Sequence, residues 1–149
     1  MDAIADVALA NTLAGMVEST SSCTSEHSIA HAISAYHPDF VHGEALIAIS
    51  KAYYTHFAKT NKCEERMIQM AKALGKTDAK TAMDFVDALT ELQKVCGVDD
   101  IKMSSHGMKK EELKKYADNA RATMGGLYAG DPVQLSDEDV LKILEESYK

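Results

Sequence analysis

At 149 residues the chain is long enough for one domain with its own core. Hydrophobic residues make up 46% and charged residues 26%, the balance of a soluble globular protein, and a formal net charge of −7 argues against nucleic acid and anionic membrane as main partners. No run approaches the ~18 consecutive apolar residues of a membrane span. The N-terminus has neither the basic region nor the uninterrupted apolar region of a signal peptide. Cys23, Cys63 and Cys96 form no CxxC pair, so the expected setting is reducing and cytoplasmic, with the thiols as core fillers or bystanders.

Proline occurs only at positions 38 and 132, glycine is sparse, and no run is a good strand candidate. Residues 2 to 19 carry Ile4, Val7, Ala10, Leu13 and Met16 or Val17 at roughly a helical period, with Leu9 off the stripe. Thr24 or Ser25 caps a second helix to about Tyr36, and His37 before Pro38 is biased away from helical angles. His42 to about Lys59 reads as a third helix, buried in its first half. Residues 62 to 74 form a fourth, ended by Gly75. A fifth starts at Thr77 or Asp78, places Ala82, Phe85, Val86, Leu89, Leu92 and Val95 on one stripe, and stops at Gly97. Residues 98 to 108 are a connector.

Residues 109 to 123 form a basic-fronted helix that Gly125-Gly126 is expected to end. In the last helix Ser136 is the N-cap, Asp137, Glu138 and Asp139 load the first turn, and Leu135 staples onto Val140. The methionines at 67, 70, 83, 103, 108 and 124 read as core filling. The expected fold is all-α, a single domain over residues 1–149 with about six or seven helices.

The strongest site signal is histidine. His27 and His31 lie four residues apart, so a helix places them on one face about 6 Å apart. His42 follows the Pro38 break and opens the next helix. Neutral imidazole is the commonest protein ligand for borderline metals. Spacing alone leaves two readings open: a metal site, or an exposed His27 with His31 packed on the third helix. A catalytic metal wants three or four protein ligands and an open position. Glu26, Glu44 and Asp39 are not clear candidates, so further ligands must come from another segment or another chain. His37, His56 and His106 show no partner spacing and are assigned to surfaces or loops, His106 to a turn beside Gly107.

The pattern His27-x-x-x-His31 followed by His42-Gly43-Glu44-Ala45 resembles the C-terminal helical domain of iron-containing (group III) alcohol dehydrogenases. The tail supports it: Ala117 to Tyr128 (ADNARATMGGLY), then Asp131-Pro132 and the closing Leu135-Ser136-Asp137-Glu138-Asp139 helix. The resemblance covers essentially the whole chain. It implies that His27 and His42 are metal ligands, for Fe²⁺ or alternatively Zn²⁺, and that His31 lines the site between metal and nicotinamide as a catalytic, proton-shuttling residue.

It also implies an upstream NAD(P)-binding domain, and an Asp and a His ligand on a helix well upstream of this region, none of which has a counterpart in these residues. The implied substrate of the full-length enzyme is a small alcohol or aldehyde, whose oxygen the ion polarises as hydride moves to or from the nicotinamide. The expectation is therefore a piece of an oxidoreductase, inactive by itself, with no nucleic-acid or membrane partner and a homodimer left open. Two alternatives stand beside it: a zinc-dependent glycerol dehydrogenase or dehydroquinate synthase relative, and a stand-alone, non-catalytic helical interaction protein.

Overall fold

The computed structural model describes residues 2–149, and among them there are seven α-helices and no strand. In chain order they are α1 (Ala3–Thr20), α2 (Ser25–Tyr36), α3 (His42–Thr60), α4 (Glu64–Ala73), α5 (Met83–Val95), α6 (Leu113–Met124) and α7 (Asp137–Ser147). Short 3₁₀ turns span Met103–His106, Lys110–Glu112 and Gly125–Gly130. None of the helices is long and apolar enough to cross a membrane.

The centre of the bundle is α2 against α3 and α6, with α7 packed on α3 and α6, and α4 and α5 forming a second pair beside α3. Ile29 and Ile33 from α2, Ile49, Tyr53 and Phe57 from α3, Tyr116 from α6 and Ile143 and Leu144 from α7 are buried together. Each fully buried aliphatic side chain of this kind contributes roughly 1.5–3 kcal/mol. Met67, Met103 and Met108 fill this core as the sequence suggests. Met83 does not, being 39% exposed.

Local signals account for most helix ends. Ser136 accepts from the Asp139 N–H at 3.1 Å, while Asp139 Oδ2 accepts from the Ser136 N–H at 2.9 Å, a complete capping box. Gly75 and Gly97 end α4 and α5 with φ of 98° and 69°, angles at which a Cβ is strained. α2 stops at Tyr36, before the His37-Pro38 break.

Three expectations need correction. α5 begins at Met83 rather than at Thr77 or Asp78. The Asp84 carboxylate accepts the Lys80 and Thr81 N–H groups, both at 2.8 Å, so the preceding residues are held as a turn. Leu92 and Val95, expected on the buried stripe, are 44% and 78% exposed; in the last turn of α5 it is Gln93 that meets α3, its Nε2 donating to Ser50 Oγ at 2.8 Å. By contrast α6 ends as expected, at Met124 with Gly125 as its C-cap, and the chain continues as the Gly125–Gly130 3₁₀ turn.

The third correction concerns α1. No residue of this helix is buried. Its alanine content and the Asp2 cap, which accepts the Ile4 N–H at 3.2 Å, favour helix locally. Yet its apolar side chains are spread around the axis, with Leu9 opposing the Ile4–Val7 side, so there is no single face to lay on the bundle.

Candidate metal centre

The site is built where α2 and α3 begin. His27 is the third residue of α2, His31 lies one turn on, and His42 is the first residue of α3. Distant contacts hold these two helix starts in register. The Ser25 N–H, an orphan donor of the first turn of α2, is taken by Asp131 Oδ1 at 3.0 Å. Thr24 occupies the N-cap position with extended backbone but makes no side-chain capping bond, so Asp131 does that work from the far end of the chain. Tyr53 Oη also donates to Asp131 Oδ1, at 3.0 Å. Ser28 Oγ donates to the Ala120 carbonyl at 2.8 Å and ties α2 to α6. In the 37–41 loop Phe40 is fully buried, and its carbonyl accepts from Ser34 Oγ at 2.9 Å, which fixes where α3 starts.

The three histidines converge. His27 Nδ1 and His42 Nε2 are 3.2 Å apart, and the His31 and His42 rings stack with centroids 4.2 Å apart. His27 and His42 are half-buried, while His31 is exposed towards the cleft. Desolvation lowers the proton affinity of both half-buried rings, and the neighbouring imidazoles lower it further. Both rings are therefore biased towards the neutral form that ligates metals. Glu18 works in the opposite direction on His27. His42 Nδ1 is buried without a hydrogen-bond partner.

Two imidazole nitrogens each about 2.0–2.1 Å from one ion, at an angle near 100°, are about 3.2 Å apart. The His27–His42 pair fits that requirement, and its borderline nitrogen donors suit Fe²⁺ or Zn²⁺. The pair is short of a full shell: among the described residues no group of three His, Cys, Asp or Glu side chains is gathered closely enough to hold an ion.

The acidic residues set aside on sequence grounds are occupied elsewhere. Glu26 is buried and accepts from Tyr54 Oη at 3.1 Å, and burial pushes its carboxyl up to about 7. Glu44 accepts the Val41 N–H at 3.3 Å and so serves the start of α3. Asp39 is exposed.

The remaining histidines have partners that spacing did not reveal. His37 Nε2 lies 2.7 Å from Tyr116 Oη and 3.7 Å from Glu112, so it is a half-buried contact to α6 rather than a free loop residue. His56 lies 3.9 Å from Asp139. His106 packs on Phe40 beside Gly107, whose φ is 77°. Sequence reasoning also missed part of the cleft wall. A cleft of about 490 Å³ is lined by the three histidines together with Glu18, Cys23 and Met124, among others. Met124 belongs to this wall rather than to the core. Glu18 and Cys23 precede the His27 helix across the 21–24 turn, where no periodicity relates them to the histidines.

Residues 1–148 match the model of the Fe-containing alcohol dehydrogenase family, C-terminal region. No curated protein sequence matches the chain. Among solved structures, the chain is similar to the alcohol dehydrogenase ADH/D1 from an archaeal halo-thermophile of a Red Sea brine pool, bound to NZQ. That match has 32% identity and a TM-score of 0.86, and covers 94% of this chain and 36% of that one. An alcohol dehydrogenase from Oenococcus oeni matches at 24% identity and TM-score 0.75, over 91% of this chain and 35% of that one. A 1,3-propanediol oxidoreductase matches at 19% identity and TM-score 0.68, over 84% and 32%. The last two likenesses concern the fold alone. The chain thus spans about a third of the length of the solved relatives it matches.

Proposed function

This chain belongs to the Fe-containing alcohol dehydrogenase family, and from that premise we propose that it is the metal-binding helical part of an NAD(P)-dependent alcohol dehydrogenase. One observation carries the reading: His27 Nδ1 and His42 Nε2 face each other at 3.2 Å in an open cleft. Only with its upstream cofactor domain does the enzyme act on a small alcohol or aldehyde. Alone, the 149-residue chain is inactive in hydride transfer.

When bound, a divalent ion supplies Lewis-acid polarisation of the substrate oxygen, and a nicotinamide supplies the hydride acceptor. His27 and His42 hold the ion, Fe²⁺ in the family's usual form and Zn²⁺ as the alternative. The Asp131, Tyr53 and Ser28 contacts orient α2, and buried Phe40 sets the entry of α3, so both rings are positioned before any ligand arrives. His31, exposed and stacked on His42, sits at the cleft mouth, where its imidazole accepts or returns the hydroxyl proton of the substrate.

The test is turnover of short alcohols with NAD or NADP. The joined two-domain enzyme turns over in the presence of metal, and the His42→Ala variant does not. Turnover by the 149-residue chain alone, or undiminished turnover in His42→Ala, contradicts the proposal.

A further inference from the structure

We propose that Cys63, Met67 and Met70 form a sulfur-only site for a soft monovalent cation, Cu⁺, where α4 begins. The site is separate from the histidine cleft and shares none of its lining residues.

The start of α4 brings the three sulfurs together. Positions 63, 67 and 70 are spaced i, i+4 and i+7, which is one face of a helix. Cys63 occupies the N-cap position but its side chain makes no capping bond. Its thiol instead turns to Met67 Sδ, 3.5 Å away, with the Phe57 carbonyl a weaker acceptor at 3.9 Å. Met67 is buried, while Cys63 and Met70 are half-buried. All three line one cavity of about 130 Å³, walled by Tyr54 and Phe57 among others. Among the described residues, the exposed Arg66 is the only charged side chain in that lining.

Two metal–sulfur bonds of about 2.3 Å at an angle near 100° span about 3.5 Å, the separation of Cys63 Sγ and Met67 Sδ. A trigonal ion asks for about 4.0 Å, a change within reach of methionine's three rotatable bonds. Met70, one turn beyond Met67 on the same face, opens onto the same cavity and supplies the third sulfur. Soft thiolate and thioether donors select Cu⁺. Charge makes the same choice. One thiolate and two neutral thioethers cancel a single positive charge, so the loaded site is neutral among its aromatic walls. A dication leaves one charge over, which burial penalises. Without metal the thiol keeps its proton, because burial pushes the Cys63 thiol up. Cu⁺ enters by replacing it: the Cu–S bond forms as the S–H bond breaks, and one proton leaves to solvent for each ion bound.

The experiment titrates the 149-residue chain with Cu⁺ under argon against a chromogenic Cu⁺ chelator, which reports the ion withdrawn. It compares wild type with Cys63→Ser, Met67→Leu and Met70→Leu, each checked for helix content by circular dichroism. Cys23→Ser/Cys96→Ser and His27→Ala/His42→Ala double variants are the controls. Serine is a better N-cap than cysteine and leucine conserves methionine's volume, so the three test variants keep the fold. The proposal expects one tight equivalent in wild type that is absent from Cys63→Ser. Each leucine variant binds it about tenfold or more weakly, a loss that removal of even a supporting partner causes. Both controls keep it. Absence of tight binding in wild type overturns the proposal. So does a tight equivalent that survives in Cys63→Ser, is indifferent to either leucine variant, or disappears in either control.

Discussion

Asp131 Oδ1 accepts the backbone N–H of Ser25 at 3.0 Å across a sequence separation of 106 residues. The same oxygen accepts from Tyr53 Oη, whose hydroxyl also contacts Ser25 Oγ at 3.2 Å and Thr24 Oγ1 at 3.1 Å. The start of α2, and with it His27, is therefore positioned by the tail of the chain. Asp131→Ala leaves the Ser25 N–H without its acceptor, while the Tyr53 hydroxyl keeps Thr24 Oγ1. The expected cost is about 1–3 kcal/mol, read as a lower midpoint in urea with unchanged m-value. Metal affinity falls with it, because the first turn of α2 frays. An unchanged midpoint contradicts this role.

Glu26 makes stability depend on pH in an unusual direction. Burial raises its carboxyl from an ordinary 4.5 to about 7. Between those values the folded state binds a proton that the unfolded state does not, so stability from this group is complete below about pH 4.5. It is lost as pH rises to about 7 and is flat above. The loss amounts to about 3 kcal/mol on the linkage relation. Glu26→Gln keeps a neutral partner for Tyr54 and removes the dependence. Denaturant midpoints of the variant and wild type are expected to converge near pH 5 and to separate by pH 8, the variant being more stable. Wild-type pH dependence in the variant contradicts the assignment.

His31 separates binding from chemistry. In the joined enzyme, His31→Ala is expected to lower kcat by roughly 10²–10⁴-fold. Metal affinity stays within a small factor, because His31 is not one of the facing nitrogens. Loss of metal equal to that of His42→Ala makes it a ligand instead.

α1 predicts self-association. Ile4, Val7, Met16 and Val17 are each more than 60% exposed on a helix with no packing partner. Large apolar side chains exposed in that number on one helix, even spread around its axis, mark a surface for association. Sedimentation of the 149-residue chain is expected to show species larger than a monomer. A Val7→Lys/Leu13→Lys variant shifts the distribution towards monomer with helix content preserved. A wild-type monomer at all concentrations contradicts this expectation.

The all-helical fold was legible because its punctuation is local. The Ser136 capping box, the left-handed glycines at 75 and 97 and the His37-Pro38 break act within a few residues. The α5 start was not, because the Asp84 carboxylate draws the preceding N–H groups into a turn where helical periodicity alone continues back to Thr77. Periodicity likewise gave α1 a stripe that packs on nothing. At the site, the i, i+4 spacing made the His27–His31 face readable, and the loop after Pro38 was short enough to bring His42 back to it. Glu18 and Met124 lie at the ends of α1 and α6 and Cys23 in the segment between α1 and α2, and the repeat within one helix does not tell which other helix end it meets.

The central claim, that His27 and His42 hold a divalent ion, is tested most directly by thermal melting of the purified chain with and without Fe²⁺ or Zn²⁺, beside His27→Ala and His42→Ala. A ligand at a hundredfold excess over its Kd stabilises the folded state by about 2.7 kcal/mol, on the order of 5–10 °C in Tm for a chain of this length. The account predicts that shift in wild type and its loss in both variants. A wild-type Tm that no metal moves, or a shift that survives in either variant, contradicts it.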